Sequence, residues 1–235
     1  MNILELTDNT VLWQMSMAER ATIFHLLGKL PKRGTAIEIG SYKGGFTRVL
    51  SKHFNKVYSL DIDHSNIVDK DSFGNVEWIT GDSKETLPKL ILELDEIDFI
   101  LIDGDHSYEA VLQDIQNVLE YVPKSDTILL IHDSWYEPSR NAINRADWNG
   151  CPYVHYIEKD LVTGDAHGRV LVGGLALVLL SAEPREGNVE ILQTHDYLYR
   201  ICKRLLDEQW RRSLKPGSLV RSGQKPGDQN HPNRI

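Results

Sequence analysis

The run Thr35-Ala-Ile-Glu-Ile-Gly-Ser-Tyr-Lys-Gly-Gly-Phe46 constrains this chain more than any other, because a short apolar strand passes directly into a glycine-rich turn. Strand, glycine turn and helix form the unit with which open α/β sheets hold nucleotide-like ligands. The turn reads Glu38-x-Gly40-x-x-x-Gly44-Gly45, so it lacks the close Gly-x-Gly pair that admits a dinucleotide pyrophosphate. It also lacks the Gly-Lys-Ser/Thr ending of a phosphate-binding loop. Glu38, at the strand's carboxyl end, would repel a phosphate and suits a cationic or hydroxylated ligand.

Upstream, Ser16-Met-Ala-Glu19 has the form of a capping box, and Ile23, Leu26, Leu27 and Leu30 follow at helical spacing. A helix over about 17–30 is predicted, packing on the core or capping the site. Downstream, strands are expected near 35–39, 56–62, 75–80, 97–102 and 127–131, with helices between them. The run 97–102 is unbroken apart from Asp98, which suits a strand buried on both faces. Pro88 is tolerable if it falls in the first turn of its helix. Such alternation predicts an open, mostly parallel sheet with helices on both faces.

After Pro138 the pattern loosens. A helix is read over 139–149, a short strand over 153–157 and a polar excursion over 160–174, of the kind that covers substrates. A clear strand follows over 173–180, able to pair antiparallel with its predecessor. Ile191, His195, Leu198, Cys202 and Leu205 then recur at intervals of four and three, predicting one long helix over 189–213 with that stripe inward.

The 235 residues, 41% of them hydrophobic, suit one α/β domain. We divide the chain into an N-terminal helical segment (1–33), a core domain (34–214) and a tail (215–235) whose Gly, Pro and polar content predicts disorder. The net charge of −8 argues against nucleic-acid and anionic-membrane partners, which would be repelled at long range. Cys151 and Cys202 are too few for a disulfide framework and too far apart for a Cys-x-x-Cys site, and are read as buried small apolar residues. No leader or membrane-length apolar run is present, so a cytoplasmic setting is the default. Homo-oligomer formation is left open.

The predicted strands deliver polar residues to one sheet edge: Glu38, then Asp61, then Asp103 with Asp105 and His106, then His132 with Asp133. Ligands of open α/β sheets bind at that edge. Asp61, about 20 positions past the first glycine, can accept both hydroxyls of a ribose. Asp82 closes another strand, where helix cap and ligand contact are equally open readings. Neighbouring strands lie ~4.8 Å apart, so Asp103 and Asp133 could share a cation. Oxygen ligands favour Mg²⁺ over Zn²⁺, while His132 as a third ligand leaves Mn²⁺ or Fe²⁺ open. Without metal, His132 or His106 could act as general base. Trp135, Tyr136, Trp148 and Tyr153 are read either as an acceptor pocket or as core.

The turn at Glu38 and Gly40 resembles the first motif of class I S-adenosylmethionine-dependent methyltransferases. The run Ile102-Asp-Gly-Asp-His-Ser-Tyr108, a strand ending His132-Asp133, and Gly173-Gly-Leu-Ala-Leu-Val178 are together similar to bacterial small-molecule and sugar O-methyltransferases related to catechol O-methyltransferase. The resemblance implies a three-layer Rossmann-like fold, with a mostly parallel seven-stranded sheet and an antiparallel edge. It implies S-adenosylmethionine held by Glu38, Gly40, Ser41, Gly44, Asp61, Asp82 and Asp103. It also implies Mg²⁺ on Asp103, His132 and Asp133, and transfer to a hydroxyl-bearing small molecule with His132, Asp133 and His106 as catalytic groups. His132 departs from the Asp or Glu common at that place. A cofactor-binding module without catalysis and a metal-dependent hydrolase are the alternative readings.

Overall fold

The computed structural model describes residues 13–213, and the tail predicted over 215–235 lies outside them. The first helix, α1 (Met17–Lys29), begins with the expected capping box: Glu19 N–H donates to Ser16 Oγ while the Glu19 carboxylate accepts from Ser16 N–H. β1 (Thr35–Ile39) leads into α2 (Gly45–His53), and β2 (Lys56–Asp61) and β3 (Val76–Thr80) follow. Then come α3 (Ser83–Glu93), β4 (Phe99–Ile102), α4 (Tyr108–Leu119), β5 (Thr127–His132) and α5 (Glu137–Arg145). Pro88 stands inside α3 rather than in its first turn, because Asp82 caps that helix six residues earlier.

The second half reads β6 (Val154–Val162), β7 (Asp165–His167), β8 (Val170–Val172), β9 (Leu175–Leu180), β10 (Glu190–Leu192) and α6 (Asp196–Ser213). The large sheet has eight strands in the order β10-β6-β9-β5-β4-β1-β2-β3. Every pair is parallel except those made by β9, which runs against both β5 and β6. This is the expected three-layer architecture with one short strand more than expected. The polar excursion holds a separate hairpin, β7 with β8.

Side chains alternate across the central strands, as a sheet covered on both faces requires. Ile37, Ile39, Ile100 and Ile102 join one core cluster with Leu87 of α3, Ile115 of α4 and Ile143 of α5. Ala36, Phe99 and Leu101 turn the other way, into a cluster with Ile23 and Leu27 of α1 and Leu50 of α2. Asp98, the acid in the apolar run, is buried and accepts from the N–H groups of Gly34 and Thr35, which fixes the start of β1.

The predicted helix over 189–213 is two elements. Residues 190–192 pair with β6 as an edge strand, and α6 starts at Asp196. Its inward stripe is Tyr199, Cys202 and Leu206 against Trp135 and Leu171, while Leu198 and Leu205 are exposed. Arg140 holds α6 in place. It pairs with buried Asp160 (2.6 Å) and with Asp196 (3.0 Å), and its guanidinium lies 3.9 Å from the Tyr199 ring centre. Both cysteines are free; Cys151 is buried as expected, while Cys202 is only partly buried. Among the described residues no helix is long and apolar enough to cross a membrane.

Candidate active site

β1 and β4 are neighbours, yet from β1 the chain proceeds to β2 on one side and from β4 to β5 on the other. Their carboxyl ends therefore open a crevice at the switch point of the sheet, where ligands of such sheets bind. Gly40 closes it at the bottom. Its φ is +88°, and a Cβ there would sit 2.1 Å from the Asp103 carbonyl oxygen, so the β1 turn and the β4 turn can pass each other only at a glycine. Above this crossing lies a cleft of about 1650 Å³. That exceeds the roughly 300–1,000 Å³ of a site for one small ligand.

One end of the cleft is built by β1, β2 and α3. Glu38 is buried, and its carboxylate accepts from Thr47 Oγ1 (2.5 Å) and Ser59 Oγ (3.2 Å). Burial pushes it up to about 8, the two hydroxyls offset part of the rise, and Asp103 and Asp61 add to it. Asp61 Oδ2 accepts from the N–H groups of Ser41 (2.8 Å) and Tyr42 (3.0 Å), so this carboxylate braces the glycine turn. Asp82 is exposed at the mouth and accepts from Lys84 N–H as the α3 cap. Gly44 is the N-cap of α2 and does not line the cleft; the other expected cofactor residues do.

The other end gathers the β4 and β5 exits around His132. This ring is buried, with Nδ1 2.7 Å from Asp103 Oδ1 and 3.3 Å from Asp133 Oδ2. Its Nε2 lies 3.3 Å from Glu19 Oε1, at ion-pair distance. Burial alone would push the ring down, but the carboxylates of Asp103, Asp133 and Glu19 together hold it well above the ordinary histidine value. Asp133 has left-handed backbone (φ +55°) and accepts from Gly173 N–H at 2.5 Å. Burial would raise its carboxyl, yet His132, His106 and the Gly173 amide bring it to about 2. His106, half-buried on the cleft wall, sets Nδ1 3.3 Å from Asp133 Oδ2.

Glu19 is the residue that the sequence did not single out for this site. Its carboxylate is buried beside His132 and also accepts from Gly174 N–H at 2.6 Å, 155 residues away. Burial would raise it, but His132 holds it below the usual range. Gly174 has φ +86°, and a Cβ there would meet Ser134 Oγ at 2.8 Å. Two further cleft residues escaped the sequence reading. Ile62 is exposed on the wall next to Asp61, and Asp114 of α4, also on the wall, is buried and accepts from Ser83 Oγ. Of the four aromatic candidates only Tyr136 lines the cleft; Trp135 and Trp148 are buried in core clusters and Tyr153 packs against one.

A divalent ion on Asp103, His132 and Asp133 does not fit this donor set. The nitrogen that faces both aspartates, Nδ1, is joined to Asp103 by a proton at 2.7 Å and so has no bare lone pair for an ion between them, while Nε2, the nitrogen that could ligate, is turned to Glu19 at 3.3 Å. Asp103, His106 and Asp133 do bring one donor atom each within 4.8 Å of one another. That second set shares both carboxylates with His132, whose ring is already set against them.

Comparison with known proteins agrees with the architecture. Residues 37–134 match a family model described as a methyltransferase domain. The chain has a methyltransferase fold. A Klebsiella pneumoniae protein described as an O-methyltransferase superposes on this fold with a TM-score of 0.56 at 15% identity, covering 76% of this chain and 87% of that one. The O-methyltransferase TomG from Streptomyces achromogenes, solved with S-adenosylmethionine, gives 0.54 at 14% identity, over 70% and 80% of the two chains. A Lactococcus lactis protein described as a hemolysin gives 0.52 at 15%, over 77% and 93%. Such distant likeness speaks for the methyltransferase fold and not for a substrate. No curated protein matches the chain.

Proposed function

We propose that this protein transfers a methyl group from S-adenosylmethionine to a hydroxyl of a neutral, polyhydroxylated small molecule such as a sugar. The observation that carries the reading is one continuous cleft. It joins the turn at Gly40 and Asp61 to the His106–Asp133 pair, with volume for cofactor and acceptor together. Among the described residues, the cleft is lined by eleven carboxylic side chains, one lysine and no arginine. That wall favours the cationic cofactor and disfavours phosphorylated or carboxylated acceptors.

In this reading Ile62 and Asp82 would hold the adenine, Asp61 the ribose, and Glu38 with Ser41 the amino-acid end of the cofactor. The acceptor enters past Tyr136 and the β7–β8 hairpin. When bound, S-adenosylmethionine would supply a sulfonium-activated methyl carbon for in-line displacement by the acceptor oxygen, the electron pair of the breaking carbon–sulfur bond going to sulfur. The hydroxyl proton passes to Nε2 of His106, whose Nδ1 faces Asp133; this is the geometry of an oriented general base. Asp103 and His132 hold the charge behind that pair.

Calorimetry with S-adenosylhomocysteine, followed by an acceptor panel, tests the reading. Asp133→Asn and His106→Gln are expected to lower transfer by roughly 10²–10⁴-fold while cofactor affinity changes little. Cofactor binding without turnover of any acceptor would instead favour a non-catalytic binding module.

A further inference from the structure

We infer that the His132 side chain stands in the place a divalent cation would take between the β4 and β5 exits, and that this chain works without one. The inference deepens the methyl-transfer reading, on which only its catalytic consequence rests.

The position is defined by the sheet. β4 and β5 are hydrogen-bonded neighbours with Ile102 opposite Ile131, which sets Asp103 beside His132, and Asp133, one residue further on with φ +55°, brings its carboxylate to the same ring nitrogen. Two carboxylates in that arrangement repel unless something positive lies between them. Here His132 Nδ1 lies between them, 2.7 Å from Asp103 and 3.3 Å from Asp133. A third carboxylate, Glu19, faces the ring's far nitrogen at 3.3 Å.

The surroundings are shaped to hold a ring and not an ion. Glu19 is fixed by Ser16 N–H on one oxygen and Gly174 N–H on the other. Asp133 is fixed by Gly173 N–H. Both glycine amides come from the turn before β9, which is itself tied to β5 by Trp135 N–H donating to the Gly173 carbonyl at 3.0 Å. The ring is therefore clamped from α1, β4, β5 and the β8–β9 turn. A hydrated Mg²⁺ keeps several waters and near-octahedral oxygens at 2.0–2.1 Å, a shell for which His132 would have to leave. An acidic residue at position 132 would remove the ring and add an oxygen donor to the two aspartates.

Mn²⁺ titration of the full chain followed by electron paramagnetic resonance, with and without S-adenosylhomocysteine, decides the matter independently of any acceptor. The wild-type protein is expected to leave the aqueous Mn²⁺ signal intact at concentrations where His132→Asp quenches it, with at least a tenfold difference in affinity. Uptake of one Mn²⁺ per wild-type chain at micromolar concentration overturns the inference, whether or not the variant folds. His132→Asn, which removes the charge without adding a carboxylate, is expected not to gain the ion; Mn²⁺ affinity equal to that of His132→Asp would also count against the assignment. With an acceptor in hand, wild-type transfer should be unchanged by EDTA. Transfer abolished by EDTA and restored by Mg²⁺ overturns the inference while leaving the methyl-transfer reading intact.

Discussion

Glu38 shows how one residue couples fold, charge and ligand. Burial pushes its carboxyl from 4.5 up to about 8, so the native protein keeps a proton that the unfolded chain has already released. Stability then falls as pH rises from about 4.5 to about 8, since over that window the native state binds more protons than the unfolded one. Denaturant titrations across this range should show the slope in the wild type and a flatter profile in Glu38→Gln, a difference on the order of a few kcal/mol at the alkaline end. A cationic cofactor group settling beside Glu38 would favour its ionised form. Binding of S-adenosylhomocysteine at pH 7 should therefore release protons, seen as a buffer-dependent heat in calorimetry. Equal proton release from wild type and Glu38→Gln would show that Glu38 is not the group involved. The sequence made Glu38 legible because an acid closing an apolar strand has few uses. It could not foretell how His132 and His106 divide their work. That division turns on the left-handed backbone at Asp133, whose carboxylate oxygen lies 3.3 Å from both histidines while His132 alone also reaches Asp103.

Among the elements, α1 illustrates what a local motif can conceal. Its capping box explains Glu19 fully at short range, and so gave no reason to look for a partner. In the structure the same carboxylate also meets His132 and the Gly174 amide. Two substitutions separate the roles. Ser16→Ala loses a cap worth about 1 kcal/mol. Glu19→Ala also removes the buried carboxylate beside His132 Nε2 and the acceptor of the Gly174 N–H, and removal of one member of a buried pair typically costs about 3–5 kcal/mol. Urea unfolding should rank the two accordingly; equal losses would mean that the long-range contacts add no stability. The central strands and helices were readable because burial on both faces or on one stripe imposes a period. β10 has three exposed residues and imposes none, so its apolar Ile191 was absorbed into the pattern of the helix that follows. That error also shifted the inward stripe of α6, whose anchor, Tyr199, is set by Arg140 and Trp135 from elsewhere in the chain.

At the scale of the whole molecule, the charge of −8 is not spread evenly, since among the described residues the cleft carries eleven carboxylic side chains against one lysine. Low-dielectric walls focus such a field and concentrate cations at the mouth. S-adenosylmethionine bears one positive charge more than its demethylated product, so the field should hold the substrate form more firmly and let the product leave. Salt offers the test, because the Debye length falls from about 30 Å at 0.01 M to about 3 Å at 1 M. Raising ionic strength over that range should weaken S-adenosylmethionine binding by a larger factor than S-adenosylhomocysteine binding, narrowing the ratio of their affinities. Neutral sugars competing for the acceptor end should show little salt dependence, and phosphorylated ones should bind better as salt screens the wall. Parallel salt slopes for the two cofactor forms would place the sulfonium outside the acidic part of the cleft. The end defined by Glu38 and Asp61 would then be the wrong one for the methionine half of the cofactor, and the direction assigned to the ligand along the sheet edge would have to be reversed.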